Sequence, residues 1–346
     1  SMLDAIRSAK STITFETYIY WSGSVGREFV DALNERARVR VHVLLDWVGS
    51  LKMDDALLDE MRDAGIEVER FHEPGWNNWN KLNNRTHRKL LVVDGRIGFT
   101  GGVGIADQWR GQARNPEEWR DSHFRVEGPV VAQMQSVFLD NWMRAKGVVL
   151  HGDAYFPALK PVGQLSAQMF SSSPSGGSET MQLMYQLAIT ASKRSIDLAN
   201  SYFVPDELTT QTLVEAARRG VKVRVILPSG HIDSEVVRKA SRASWGPMLE
   251  AGIEIAEFQP TMFHVKSLVV DGVFSSVGST NFDNRSFRLN DEANLNVLNA
   301  EFGATQQRVF DQDWAQSPRI PLAQWQDRPW REKGLEQLAT LLSSQL

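Results

Sequence analysis

The sequence predicts an α/β protein made of two tandem, similar halves that pack about a pseudo-two-fold axis. Three observations carry this. Segments of the first half return in the same order in the second, each half alternates strand-like and helix-like stretches, and a histidine-containing motif marks equivalent points in both. Ala64-Gly65-Ile66-Glu67-Val68 reappears as Ala251-Gly252-Ile253-Glu254-Ile255, and Val39-Arg40-Val41-His42-Val43-Leu44-Leu45 as Val221-Lys222-Val223-Arg224-Val225-Ile226-Leu227. Self-similarity on this scale is a tandem duplication. The alternation implies helices covering a largely parallel or mixed sheet.

Residues 11–20 are rich in Thr, Ile, Tyr and Phe and predict a strand. Residues 26–38 have the helical spacing of Phe29 and Leu33, residues 39–45 alternate into a strand, and residues 54–64 form a helix that stops at Gly65. Residues 90–93 read as a buried apolar strand. The second half repeats the series at 195–203, 209–219, 221–227, 235–251 and 267–270. Pro, Gly and Ser concentrate over 150–178, which places the join there and the domains at 1–160 and 161–346. A strand-like stretch, 165–171, precedes the first helix of the second half. Nothing stands in that place in the first, so the chain is expected to begin inside its first domain.

Composition narrows the chemistry. A chain of 346 residues suits two domains of ordinary size. With no Cys, disulfide scaffolds, thiolate zinc sites and cysteine nucleophiles are all excluded. Lys and Arg number 38 against 42 Asp and Glu, and the net charge of −4 argues against a general nucleic-acid binder, which needs a basic footprint. The longest stretch free of charge and His, 161–178, is rich in Ser, Gly and Gln, so it cannot span a bilayer. The opening residues read at once as helix rather than as a charged-then-apolar leader.

The motif H-x-K-x4-D-G occurs twice, at His87/Lys89/Asp94 and at His264/Lys266/Asp271. On a strand, residues two apart point the same way, so each His shares a direction with its Lys. Gly101-Gly102 and Gly278-Ser279 follow at matching positions. Duplicated structural residues would explain retained Val, Leu and Gly. They give no reason to retain His and Lys twice, so the pairs point to chemistry.

These residues resemble the signature of the phospholipase D superfamily, an H-x-K-x4-D element followed by G-G or G-S and Asn, and the resemblance covers nearly the whole chain. Phe15-Glu16-Thr17-Tyr18-Ile19, Leu45-Asp46-Trp47-Val48-Gly49-Ser50, Ser201-Tyr202-Phe203-Val204-Pro205-Asp206 and Asn281-Phe282-Asp283-Asn284-Arg285-Ser286 look like segments of bacterial cardiolipin synthases. The resemblance implies two phospholipase D-like α/β/α sandwich domains with one active site at their interface. Two motifs in one polypeptide fit the family's monomeric members. It also implies a phospholipid substrate, phosphatidylglycerol in the first place, and a position peripheral to or anchored at a bacterial cell membrane.

The side chains support phosphodiester chemistry. Lys89 and Lys266 converging on one phosphate would offset its charge in a water-poor site. A neutral imidazole can attack phosphorus, which splits one hard displacement into two through a phosphohistidine. A second, protonated imidazole serves the leaving and incoming oxygens. By analogy with the family, His87 is the expected nucleophile and His264 the general acid/base, although the pseudo-symmetry allows the reverse. The same analogy gives Ser279 and Asn281 phosphate contacts. In the first half the Asn position is Gly104, so the two half-sites are chemically unequal.

Asp121 and Glu292 open equivalent strands beyond the two histidines, and the resemblance implies that they orient the imidazoles, Asp121 following His87 and Glu292 following His264 in the chain. Asp94 and Asp271 belong to the motif, but the turn-opening position suits a structural hold better than proton transfer. No metal is expected, because neither His has a second ligand at metal spacing on its own strand face. No cofactor and no nucleic-acid partner are expected either.

The halves differ most just before the motif, where the first carries an insertion containing Trp76-Asn77-Asn78-Trp79 and then Lys81 and Arg85. Trp76 and Trp79 beside cationic residues suit a lipid-docking loop. The leading expectation is phosphatidyl transfer between two phosphatidylglycerol molecules with release of glycerol. Hydrolysis to phosphatidic acid is the close alternative, followed by a nuclease-type phosphodiesterase and a non-catalytic lipid-binding scaffold.

Overall fold

The computed structural model describes residues 1–74 and 83–342, and within them the duplication is visible strand by strand. In the first half, β1 (Thr12–Thr17), β2 (Arg40–Asp46) and β3 (Glu67–Phe71) run parallel. After a two-residue β4 (Arg85–Thr86), the strands β5 (Leu90–Val93), β6 (Ile97–Gly101) and β7 (His123–Glu127) complete a sheet of order β3-β2-β1-β5-β6-β7. The β1–β5, β5–β6 and β6–β7 pairs are antiparallel, so the sheet is mixed.

The second half opens with β8 (Ser166–Ser172) and then repeats the plan with β9 (Ser195–Asn200), a two-residue β10 (Phe203–Val204), β11 (Lys222–Pro228), β12 (Glu254–Phe258), β13 (Lys266–Val270) and β14 (Phe274–Gly278). A two-residue β15 (Phe282–Asp283) and the long β16 (Asn290–Leu298) follow. The order β12-β11-β9-β13-β14-β16 mirrors the first sheet, with β8 added antiparallel to β16. The stretch expected as a strand at 165–171 is this added β8.

The helices are α1 (Met2–Ser8), α2 (Ser24–Asn34), α3 (Asp55–Asp63) and α4 (Val130–Lys146) in the first half. In the second they are α5 (Thr180–Ala191), α6 (Glu207–Arg218), α7 (Glu235–Ala243), α8 (Gly246–Glu250), α9 (Ala300–Trp314), α10 (Leu322–Gln326) and α11 (Trp330–Thr340). Asp54 caps α3 by accepting from the Ala56 N–H, and Gly65 adopts a φ of 91° just beyond it, as the Gly stop required. The single helix expected at 235–251 is instead two, α7 and α8. Pro247 lacks the N–H that a continuous helix needs and sits in the first turn of α8, where that loss costs little.

Each half has its own apolar core, formed around Ile13, Val43 and Leu91 in the first and Ile196, Val225 and Leu268 in the second. A third cluster joins them, with Leu90, Val92, Val131 and Met134 packed with Met169, Val277, Leu295 and Val297. A fully buried side chain of this size contributes about 1.5–3 kcal/mol, so the contact between the halves is a core rather than a loose domain interface. Two short backbone bridges cross it. β4 pairs in parallel with the start of β16, and Arg120 pairs in parallel with Phe263. Among the described residues, no helix is long and apolar enough to cross a membrane.

Candidate active site

The crossing bridges determine where the histidines go. His87 follows β4 directly, and its N–H donates to the Asp291 carbonyl at 2.9 Å; the His264 N–H donates to the Arg120 carbonyl at 2.7 Å. Each histidine is thus delivered to the opposite half. His87 Nδ1 lies 2.9 and 3.1 Å from the two oxygens of Glu292, and His264 Nδ1 lies 2.7 Å from Asp121 Oδ2. Asp121 and Glu292 do meet the histidines, but the expected partnering is exchanged. The within-half assignment followed chain order, whereas the two parallel bridges set the true contact.

The centre is buried: the histidines expose 6% of their surface and the lysines 3%. Burial lowers the His87 pKa to about 4, against the pull of Glu292 and with the help of the Lys89 charge. His264 is lowered by burial and then by Lys266, against Asp121. Both imidazoles are therefore driven toward the neutral form, where one neutral and one charged ring had been expected. The cause is that burial and two ammonium groups act on both rings. Burial brings Lys89 down to about 7, with Lys266 the next cause, and Lys266 down to about 8. The Lys266 charge acting on Lys89 fits two lysines that serve one centre.

Both carboxylates are held toward the ionised form. Burial pushes each upward, but the histidine and lysine charges and the local hydrogen bonds outweigh it, leaving Asp121 and Glu292 below their ordinary values. Their supports differ. Glu292 accepts from the Ser279 hydroxyl and from Ser286 Oγ at 2.7 Å. Asp121 accepts from the Trp109 indole N–H at 2.8 Å and the Ser122 N–H at 2.7 Å. Gly102 occupies the place of Ser279, and a Cβ there would come 2.2 Å from Asp121 Oδ1. A Cβ at Gly104, the place of Asn281, would meet the Trp109 ring at 3.1 Å and Ile19 at 2.9 Å. The missing Asn of the first half is replaced in space by an indole.

Ser279 is fully buried against Glu292, and Asn281 Oδ1 accepts from Ser201 Oγ at 2.8 Å. Ser201 in turn accepts from Lys266 Nζ at 2.6 Å, so Asn281 reaches the lysine through a hydroxyl. Lys266 Nζ also stands 3.1 Å from His264 Nε2, while Lys89 Nζ donates to the His87 carbonyl at 2.7 Å and lies 5.5 Å from the centre of the Tyr18 ring. The Tyr18 ring meets His87 edge-on at 5.0 Å, whereas Trp109 and Trp119 flank His264 at 5.3 and 5.6 Å.

Asp94 and Asp271 are not in this centre. They lie at the far ends of β5 and β13, about 16 Å from the lysines at ~3.3 Å per residue. Asp94 accepts backbone N–H groups of Lys10, Ser11 and Thr12, and Asp271 those of Lys193, Arg194 and Ser195. Both have positive φ, 53° and 55°, which Asp tolerates better than most residues. Their grouping with the catalytic residues is corrected: they tie the start of β1 and β9 to the end of the motif strand. Trp76 and Trp79 lie outside the described residues.

Several residues around the centre were not singled out from sequence. Arg88 is fully buried and donates to the Val137, Ser172 and Glu292 carbonyls, stapling α4, β8 and β16 behind His87. Glu16, which burial raises to about 7, accepts from Asn141 at 2.7 Å and from Thr86. The signal for Arg88 was present, since the second motif has Val265 in its place.

The chain is similar to known proteins along nearly its whole length. The family described as "Cardiolipin synthase, PLD-like domain" matches residues 2–140 and 186–314. A cardiolipin synthase of Geobacillus kaustophilus is 36% identical over 350 aligned residues, covering 99% of this chain and 69% of that protein. Cardiolipin synthase A of Pseudomonas syringae is 35% identical over 91% of this chain and 66% of its own length. The crystal structure of phosphatidylserine synthase from Haemophilus influenzae superposes with a TM-score of 0.75 over 100% of this chain and 92% of that one, at 13% identity, and shows the shared fold. The chain belongs to the phospholipase D superfamily, within its family of cardiolipin synthase-type proteins.

Proposed function

We propose that the protein transfers the phosphatidyl group of one phosphatidylglycerol to a hydroxyl of a second, releasing glycerol and using no cofactor. The observation that carries this reading is the meeting of both His/Lys pairs in one buried centre, each imidazole held at Nδ1 by a carboxylate of the other half. The similarity to cardiolipin synthases favours a lipid alcohol over water as the acceptor.

His87 is assigned as nucleophile. With Nδ1–H donated to Glu292 and the ring neutral, Nε2 keeps its lone pair for attack. Nε2 attacks phosphorus and a P–N bond forms as the bond to the glycerol oxygen breaks, while His264 gives that oxygen a proton. His264 then takes the proton of the incoming hydroxyl, whose oxygen attacks phosphorus as the P–N bond breaks, and both histidines return to their starting state. The charge of the bound phosphodiester raises the His264 pKa and supplies the acid form that burial disfavours. Lys89 and Lys266 neutralise the phosphoryl oxygens. Asp121 and Glu292 orient the imidazoles. Ser279 and Asn281 act through Glu292 and through Ser201 and Lys266 respectively, and contact phosphate as those groups rearrange around it.

The protein works as a monomer at the surface of a bacterial cell membrane, with Trp76 and Trp79 assigned to docking on lipid. Labelled phosphatidylglycerol in mixed micelles with EDTA tests the function. Cardiolipin and glycerol are the expected products; phosphatidic acid alone would replace transfer by hydrolysis, and no turnover would leave only a lipid-binding scaffold.

A further inference from the structure

On a surface helix of a globular protein the leucines ordinarily face inward and the acids outward. α11 does the reverse. We propose that its outward face, formed by Trp330, Leu335, Leu338, Leu341 and Leu342, is a docking surface for an anionic lipid bilayer. The inference rests on the membrane-surface reading above, and not on which phosphatidyl reaction the centre performs.

Charge holds the inner face. Glu336 exposes only 4% of its surface, with Arg242 Nε donating to Oε1 at 3.1 Å and an Arg328 guanidinium nitrogen 3.0 Å from Oε2. Ala339, buried on the same face, packs with Val204, Val237 and Ala240. Outside, Trp330 exposes 78% of its surface and the four leucines 51–76%. At about 100° per residue, all five fall within one arc of roughly 140°. Leu341 and Leu342 complete it in the closing turn, where their N–H groups donate to the Leu338 and Ala339 carbonyls. Arg331 stands inside the arc, its guanidinium 5.5 Å from the centre of the Trp330 ring. No carboxylate stands there, because Glu332 lies four residues before Glu336 and so toward the inner face.

Size, composition and charge fit a bilayer better than a protein. The helix has 11 residues, so its apolar face measures about 16 Å by 10 Å, far below the ~800 Å² that each partner of a standard protein interface buries. A second copy of this chain would gain too little from it. A bilayer needs only side chains that reach its acyl boundary. Trp favours the headgroup level, and a long Arg side chain keeps its charge among headgroups while its stem lies with the leucines. With a cation and no acid in the arc, the face complements anionic lipid.

The helix also stands beside the centre. Tyr202 packs against the cluster that includes Ala339, and Ser201, its neighbour in the chain, accepts from Lys266 Nζ at 2.6 Å. The Tyr202 hydroxyl donates to Asp233, just before α7, at 2.7 Å. A bilayer held at α11 thus lies one helix thickness, about 10 Å, from the Tyr202 segment. Docking there keeps the lipid that the reaction consumes next to the lysines that receive it.

The absence of Cys makes a direct test simple, because Leu338→Cys takes a single environment-sensitive fluorophore. Vesicles of phosphatidylglycerol should shift its emission to the blue and brighten it several-fold, and vesicles of phosphatidylcholine should do so less. Leu338→Glu with Leu341→Glu should weaken flotation with phosphatidylglycerol vesicles at least about 10-fold. The thermal midpoint should not change, since both side chains are exposed. A silent fluorophore on protein that floats would overturn the proposal, as would a double variant that floats like the wild type. An equal response to phosphatidylcholine would overturn the anionic preference. A response to protein concentration alone, without vesicles, would give the face to a second copy instead. Wild-type protein that does not float with phosphatidylglycerol vesicles would end the membrane-surface reading itself, and this inference with it.

Discussion

The two half-sites share a pair of side chains and almost nothing around them. On one side, His87 is held by Glu292, whose longer side chain is supported by the Ser279 and Ser286 hydroxyls, with Tyr18 against the ring. On the other, His264 is held by the shorter Asp121, supported by the Trp109 indole in the space that Gly102 and Gly104 leave open, with two tryptophans against the ring. Duplication supplied the geometry of two imidazoles and two lysines, and divergence of their surroundings allows each to take a different task. Proposed nucleophile and proposed acid/base are chemically distinct jobs, and the two environments are distinct in kind.

The sharpest way to break this comparison is to remove each histidine in turn. His87→Ala and His264→Ala should each lower transfer from natural phosphatidylglycerol by at least about 10³-fold. With a nitrophenyl ester as the leaving group, which needs no proton, His264→Ala should still release a burst of nitrophenol and His87→Ala should not. Equal behaviour of the two variants would dissolve the distinction between the sides.

The lysines sharpen what the sides share. Lys89→Met and Lys266→Met should each cost roughly 10²- to 10³-fold in kcat/KM and yet raise the thermal midpoint. Lys89 is held at about 7 in the folded chain, well below the 10.5 of an exposed lysine, so between those values the unfolded chain binds the extra proton and stability rises with pH. The penalty is full below pH 7 and gone near 10.5, so the stabilisation by Lys89→Met should be largest in acid and fade in base. In the wild type, activity should fall above pH 7–8 as the lysines lose their charge. Inorganic phosphate binding at pH 8 should take up protons, measurable by calorimetry in buffers of different ionisation enthalpy; no uptake would contradict the shifted lysines.

A smaller effect separates the carboxylate supports. Gly102→Ser places a side chain against Asp121 and should lower activity about 10- to 100-fold by displacing the His264 partner. Asp121→Ser added to it should remove the clash without restoring the rate. The smallest expected effect is on docking: Trp76→Ala with Trp79→Ala should weaken flotation with anionic liposomes by a few-fold, and unchanged flotation would remove the loop from the proposal.

Much of this is legible in the sequence. The repeated A-G-I-E and H-x-K segments located the corresponding strands, but the histidines expected on those strands precede them, His87 before β5 and His264 before β13, because their N–H groups bond to the Asp291 and Arg120 carbonyls of the opposite half. The exchange of carboxylates was not legible, because chain order places Asp121 after His87, while the contact depends on β4 and Arg120 crossing between sheets. The break between α7 and α8 was visible in Pro247 but hidden by the apolar periodicity on both sides of it. Arg88 escaped notice because a charged residue inside a strand ordinarily reads as surface, whereas here three backbone carbonyls and Asp140 satisfy it in the interior.

The central claim is that one histidine, His87, carries the phosphatidyl group while its pseudo-symmetric twin moves protons. Phosphoramidates survive base, so protein quenched in alkali during turnover of phosphatidylglycerol, digested and read by mass spectrometry, reports the carrier directly. A phosphatidyl adduct on the peptide containing His87, accumulating in His264→Ala when a nitrophenyl phosphatidyl ester replaces phosphatidylglycerol, is the predicted result. An adduct on the His264 peptide, or none in either protein under conditions of rapid turnover, would contradict the account.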